Sequence, residues 1–367
     1  IRVAVLDTGV DRNHPDFADA RIDLENVYNA TDEPSEDGDY VAMDYDGHGT
    51  HVAGTIAAHT NNEKYVSAVM WEGELLPVKV LPGDTFTVAE GILYAAGLGE
   101  TENPQPVDII NLSLGGALLA TDTTLKEAVH KVATETNIIM VAAAGTHKNN
   151  GDESSSEVLY PAKYEEVIAV GAVDSGGQKA NYSNYGENLE IMAPGGGRNQ
   201  GVLSLYFDEE KKNYFTEEII GTSMATPHVT GVIGLMLAEG IKPDQTRGLL
   251  QKTAVDLGEP GFDEDHGYGL VNSYLAVNGI EKLKIGVKEP GAEIKEALVT
   301  ELIDLDQKNY KLNFEIPSGE YEVFAFLDVQ GNNKKDPGDY YVQSEPQKFY
   351  TGSDYSLDFL LQEEKEN

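Results

Sequence analysis

The chain has 367 residues, 40% of them apolar and 24% charged, and no cysteine, so disulfides, thiolate catalysis and cysteine-bound zinc are excluded. Acidic residues number 63 against 26 basic ones, a formal charge of −37 that repels nucleic acid and anionic lipid and suits calcium or cationic substrates. No apolar run approaches the roughly 20 residues of a membrane span.

Ile1–Leu6 is an apolar run of strand length that ends in Asp7-Thr8-Gly9. The chain therefore opens inside a core strand with no leader ahead of it, which reads as a processed or truncated chain. Further Val- and Ile-rich runs follow at Leu75–Leu81, Val107–Leu114, Ile138–Ala144 and Val167–Val173, each bounded by Gly, Pro or polar residues. Between them lie helical periodicities at His48–His59, Thr87–Gly97, Thr123–Thr136 and Ser223–Ala238. Strands that are apolar on both faces and alternate with helices predict an α/β fold: a parallel sheet covered on both sides. After Gly279 helical periodicity fades and short alternating segments follow, at Tyr310–Ile316, Tyr321–Leu327 and Tyr355–Leu361. The expected division is a catalytic-size domain over 1–278, a small all-β, sandwich-like domain over 279–362 and a charged tail over 363–367.

Three polar residues interrupt this apolar framework. Asp7 sits at the C-terminal end of a buried strand, where open α/β sheets place their sites; it is either a functional carboxylate or a structural one bound to the Thr8 and Gly9 amides. His48, between Gly47 and Gly49 at a helix start, is a base, a metal ligand or a satisfied core residue. His48 and His51 could share a metal, but the His-Glu-x-x-His zinc pattern is absent. Ser223, in Gly221-Thr222-Ser223-Met224-Ala225, is an N-cap or a nucleophile at a helix N-terminus, and Pro227 is expected to fall in that helix's first turn. Together the three segments follow the chain order Asp, His, Ser, which among Ser-His-Asp arrangements is the subtilisin order.

The sequence resembles the subtilisin-like serine proteases over about residues 1–277. The resemblance rests on Asp7-Thr8-Gly9-Val10-Asp11, His48-Gly49-Thr50-His51-Val52-Ala53-Gly54 and Gly221-Thr222-Ser223-Met224-Ala225-Thr226-Pro227-His228-Val229. It is supported by His14-Pro15-Asp16, Asn111-Leu112-Ser113-Leu114-Gly115-Gly116 and Tyr160-Pro161-Ala162. It implies a three-layer catalytic domain and a secreted serine endopeptidase acting on protein or peptide substrates, with its own propeptide as a further partner. Ser223 would attack, His48 would move the proton and Asp7 would orient His48. Ser113, Leu114 and Gly115 would pair with an extended substrate opposite Ala144 and Gly145, and Leu159 would make the primary pocket shallow. Acidic residues Asp152, Glu153 and Glu157 would favour basic side chains there.

One position departs from the family pattern. Where the family reads Asn at the oxyanion loop, this chain has Thr146, so the oxyanion would be held by Thr146 and the Ser223 amide. A slower protease is the expectation, with a narrow-specificity processing protease or a catalytically weak peptide-binding protein as alternatives. Asp16, in His14-Pro15-Asp16, and Asn62, in the His59–Val66 loop that resembles the family's calcium loop, are implied ligands of a structural calcium. A second calcium candidate is the oxygen-rich stretch carrying Asp328, Gln330, Asn332, Asp336 and Asp339.

Overall fold

The computed structural model describes residues 1–17, 21–31, 41–116, 123–146, 157–198, 200–208, 213–278, 283–293, 296–303, 317–327, 340–349 and 362–363. Contacts gather the chain into two units, Ile1–Val271 and Asn272–Asn367.

The first unit is built on a seven-stranded sheet. Its strands are β1 (Arg2–Asp7), β2 (Tyr28–Asn29), β3 (Glu74–Lys79), β4 (Ile109–Leu112), β5 (Ile139–Ala143), β6 (Val167–Val173) and β7 (Ile191–Pro194), in the order β2-β3-β1-β4-β5-β6-β7. Every pairing is parallel, as the doubly apolar runs require. Side chains alternate across the sheet. Ala4, Leu6, Leu76, Val78, Ile110 and Leu112 join one core with helices α2 (Thr85–Ala95) and α3 (Thr124–Glu135). Val3, Val5 and Asp7 have the opposite parity and face α1 (His48–Ala57) and α4 (Thr222–Ala238), which pack together on the other side. The strand pattern thus decides that Asp7 meets α1.

Local chemistry sets the helix ends. Asp84 caps α2 by accepting from the Phe86 and Thr87 amides. In α3 the buried residues are Leu125, Ala128, Val129 and Val132, one amphipathic stripe. Helix α4 is buried nearly all round. Helix α5 (Pro243–Thr253) starts on Pro, carries Asp244 in its first turn and Lys252 in its last, matching the helix dipole. Several further elements escaped the periodicity reading, among them β2, β7, α5 and an antiparallel hairpin of β8 (Val202–Asp208) and β9 (Asn213–Ile219) that lies against α1.

In the second unit α6 (Ser273–Asn278) precedes an antiparallel sheet. Its strands are β10 (Leu283–Lys288), β11 (Val299–Ile303), β12 (Gly319–Leu327), β13 (Tyr340–Gln343) and β15 (Gln362–Glu363), with β14 (Gln347–Phe349) on β12. The expected strand Tyr321–Leu327 lies within β12; those at Tyr310–Ile316 and Tyr355–Leu361 lie outside the described residues. Phe324 and Phe326 are fully buried there, and a buried Lys288–Glu322 ion pair (2.6 Å) joins β10 to β12.

A second buried ion pair closes the start of the main sheet. Arg2, 7% exposed, pairs with Asp23 and with Glu74 at 3.1 Å, and its amide donates to Asp108 at 2.7 Å. Burial pushes the Asp23 carboxyl up, but donors from Asn26, Arg2 and Glu25 outweigh it and hold its pKa below the usual value. Such a group stabilises the fold fully above the unfolded carboxylate pKa and loses that stabilisation as pH falls through the lower folded value. Asp23→Asn leaves the buried Arg2 with only its partly exposed partner Glu74 and costs about 2 kcal/mol at pH 7. In urea unfolding across pH, the gap between variant and wild type should close only below pH ~4; a gap constant down to pH ~2 would refute the assignment.

Candidate active site

Asp7 ends β1 fully buried. Its Oδ1 accepts from the Thr8 amide (2.8 Å) and from His48 Nδ1 (2.7 Å). His48 is the first residue of α1, and its side chain is 26% exposed. With Nδ1 held by Asp7, the ring's other nitrogen is left for chemistry. Two glycines make this close approach feasible. A Cβ on Gly49 would lie 2.0 Å from the Gly9 carbonyl oxygen; one on Gly47, whose φ is +98°, would lie 2.4 Å from the Tyr206 ring.

Burial works against charge on His48, yet the Asp7 carboxylate, by charge and hydrogen bond, outweighs it. Asp44 and Asp46 add to the effect, and the pKa is pushed up to about 9. His51 behaves oppositely. Burial pushes it down to about 4, and its Nε2 donates to the Val202 (2.9 Å) and Glu217 (3.1 Å) carbonyls of the hairpin. The two histidines therefore serve different partners, and among the described residues no cluster of three or more His, Cys, Asp or Glu is arranged to hold a metal.

Ser223 is half-buried, the second residue of α4. Pro227 is the sixth helical residue, in the second turn and not the first, so it withholds the N–H that would bond the Ser223 carbonyl. That carbonyl accepts instead from Ser113 Oγ at 2.8 Å. Ser113 in turn accepts from Asn111 Nδ2 (3.1 Å), and Asn111 Oδ1 accepts from Thr230 Oγ1 (2.8 Å). A break in the helix ladder thereby ties the Ser223 peptide to β4. Among the described residues no hydrogen bond joins His48 to Ser223, a looseness common in sites without substrate.

Ser113, Leu114 and Gly115 follow β4 and pass from buried to exposed, while Ala144 and Gly145 follow β5. Both segments stand at the C-terminal edge of the sheet beside Asp7. Leu159 lies between them: a Cβ on Gly145 would meet Leu159 Cδ1 at 2.7 Å, and one on Gly115 its Cβ at 3.3 Å. Thr146 is exposed, its Oγ1 3.5 Å from Thr222 Oγ1, which itself accepts from the Gly145 amide at 3.2 Å. Glu157 is exposed and paired with Lys163 at 2.5 Å; Asp152 and Glu153 lie outside the described residues.

Asp16 is fully buried and accepts from Asn62 Nδ2 (2.6 Å) and the Val66 amide (3.4 Å), with no Lys or Arg partner among the described residues. Asn62 turns its N–H toward Asp16 while its Oδ1 accepts the Lys64 amide (3.1 Å), so the pair offers calcium an oxygen from each residue only with the Asn62 amide turned over. Asp328, Gln330, Asn332, Asp336 and Asp339 lie outside the described residues.

Comparison with known proteins bears on the family of the first unit. The profile described as "Subtilase family" matches residues 1–269. The chain is 41% identical over 241 residues to the major intracellular serine protease of Bacillus subtilis, covering 64% of this chain and 68% of that one. It is 37% identical over 278 residues to subtilisin DY of Bacillus licheniformis, covering 74% and 89%. The solved structure of a protease from Pseudoalteromonas arctica PAMC 21717 superposes with a TM-score of 0.64 at 33% identity, covering 76% of this chain and 89% of that one. With the seven-stranded parallel sheet and the profile spanning almost all of the first unit, the chain belongs to the subtilase family of serine proteases.

Proposed function

We propose that this protein is an endopeptidase whose nucleophile, base and orienting carboxylate are Ser223, His48 and Asp7. The observation that carries the reading is the 2.7 Å bond from His48 Nδ1 to the buried Asp7, at the sheet edge where Ser113 holds the Ser223 peptide. An extended peptide would lie along Ser113–Gly115. Ser223 Oγ would attack its scissile carbonyl while His48 takes the proton, and Asp7 would stabilise the resulting imidazolium. His48 would then return the proton to the leaving amine, and water would cleave the acyl-enzyme by the same route. The neutral ring is the base, so turnover rises with pH toward His48's raised value of about 9. The oxyanion would be met by the Ser223 amide and the short-armed Thr146 hydroxyl, which favours modest turnover.

Hydrolysis of denatured casein, with fluorophosphonate labelling of Ser223 to count active sites, tests the reading. Labelled protein that cuts casein supports it; folded protein that binds peptide yet neither labels nor cuts would establish the peptide-binding alternative suggested by Thr146. A processing role would show as cleavage of few sites in a peptide library. Calcium held by Asp16 and Asn62 would brace the 59–66 loop and take no part in the chemistry. No described helix is long and apolar enough to cross a membrane. Secretion is the reading proposed from the resemblance to the subtilisin-like serine proteases, and the relative named as intracellular speaks for the other compartment; fractionation of the native host decides.

Leu159 sets the expected selectivity. Filling the space between Gly115 and Gly145, it leaves room for a small residue before the scissile bond. Leu159→Gly should raise kcat/KM for a phenylalanyl anilide over an alanyl one by at least about tenfold. An unchanged ratio would mean the side chain does not line that pocket.

A further inference from the structure

Asp44 has no part in the mechanism just given, yet it is 2% exposed and accepts five hydrogen bonds. Its Oδ1 takes Thr8 Oγ1 (2.9 Å) and the Asp46 (3.0 Å) and Gly47 (2.9 Å) amides. Its Oδ2 takes the Thr50 amide (2.8 Å) and hydroxyl (2.6 Å). Gly47 is the N-cap of α1 and has no side chain to cap with, so Asp44 satisfies two of the orphan N–H groups at that helix start, those of Gly47 and Thr50. Thr8 is the other half of the link. Its hydroxyl donates to Asp44 and accepts from the Gly49 amide at 2.9 Å, while its own amide binds Asp7. One buried carboxylate thus joins the turn that carries Asp7 to the helix start that carries His48.

We propose that Asp44 is a positioning residue for the triad: it locks the Asp7 turn and the His48 helix end into one unit and supplies a second fixed negative charge for the His48 imidazolium. The inference rests on the endopeptidase reading for its kinetic consequence but not for its electrostatic one. Holding two reacting groups at a fixed separation is worth much of a barrier, and a misplacement of ~1 Å can cost about 10²-fold. The charges that act on His48 are Asp7 from β1 and Asp44 and Asp46 from the segment before α1; Lys79 from β3 is spent on the Thr8 (3.1 Å) and Met43 (3.4 Å) carbonyls. Burial lowers the pKa of His51 on α1 and of His228 on α4. Asp44 is the buried member of this set that touches both the Asp7 turn and the α1 end.

The test is Asp44→Asn in the full chain. It is read by kcat and KM on a peptide anilide with active sites counted by fluorophosphonate, by the pH profile of kcat/KM, and by NMR titration of His48. The expected result is kcat per labelled site lowered about tenfold or more with KM little changed, and the His48 titration moved to lower pH by about 1. A lower melting temperature with the kcat and the His48 titration of the wild type would overturn the proposal, because capping alone would then explain the residue. Should Asp44→Asn not fold, Thr8→Val breaks the same bridge and Thr8→Ser restores its hydroxyl. Loss of kcat in the first and recovery in the second is expected, and wild-type kcat in Thr8→Val overturns the proposal. If wild-type protein does not cleave, the endopeptidase reading fails by itself. The NMR titration then still decides whether Asp44 biases His48.

Discussion

Ser223→Ala should lower casein hydrolysis about 10⁶-fold, to the background of water attack aided only by binding and oxyanion contacts. That magnitude is carried over from subtilisin, the relative in which it was measured. The reason lies in how the site is built: Ser223 is the half-buried hydroxyl that α4 presents there, and its peptide is held from below by Ser113. The chain has no cysteine, so no thiolate can take its place. Asp7→Asn should cost roughly 10⁴-fold, because an amide at Oδ1 turns an N–H toward His48 or forces the other tautomer onto the ring. It should also bring the His48 titration down toward its ordinary value, because Asp7 is the largest influence raising it. The two variants separate the roles: Ser223→Ala abolishes fluorophosphonate labelling, whereas Asp7→Asn slows it. Residual casein cleavage by Ser223→Ala above about one part in 10³ would remove Ser223 from the nucleophile's place.

How far such a site can be read from sequence depends on the range of the signal. The Ile1–Leu6 run, its parity and its terminal Asp7 are local, and they sufficed to place a carboxylate at a strand end; the four long helical periodicities are local too. What sequence missed is made by contacts between distant segments. The β8–β9 hairpin packs on α1 through Ser204 Oγ to the His51 carbonyl (2.7 Å) and Tyr206 to the Asp46 carbonyl (2.9 Å), partners about 150 residues apart in the chain that no periodicity announces. Asp44, four residues before His48, reads as a loop charge until its five donors are in place. Pro227 was read one turn too early because a helix start looks alike in sequence whether capped by Gly221 or by Ser223. The structure shows the helix already begun at Thr222, and the displaced proline then explains why Ser113 must be a serine.

Thr146→Asn should raise kcat by about 10², again a magnitude carried over from subtilisin, where the reverse loss of an oxyanion donor was measured. Thr146 lies three residues beyond β5, its hydroxyl 3.5 Å from the Oγ1 of Thr222, the residue that precedes the proposed nucleophile. The position is right for a donor but the arm is short, and the single hydroxyl proton has Thr222 as a competing acceptor. An Asn side chain is longer and carries two N–H groups, so it can reach the developing oxyanion while still bonding locally. Because the oxyanion exists only after attack, the gain should appear in kcat with KM little changed. Thr146→Ala supplies the complementary measurement. If the hydroxyl already donates in the transition state, Thr146→Ala falls below wild type by about tenfold and Thr146→Asn gains correspondingly less. If Thr146→Ala equals wild type, the hydroxyl is spent on Thr222, the wild-type site runs on the Ser223 amide alone, and the full gain is open to Asn. A Thr146→Asn protein that labels fully at Ser223 but shows no gain in kcat would mean that chemistry is not the slow step, and product release along the Ser113–Gly115 edge would then limit turnover.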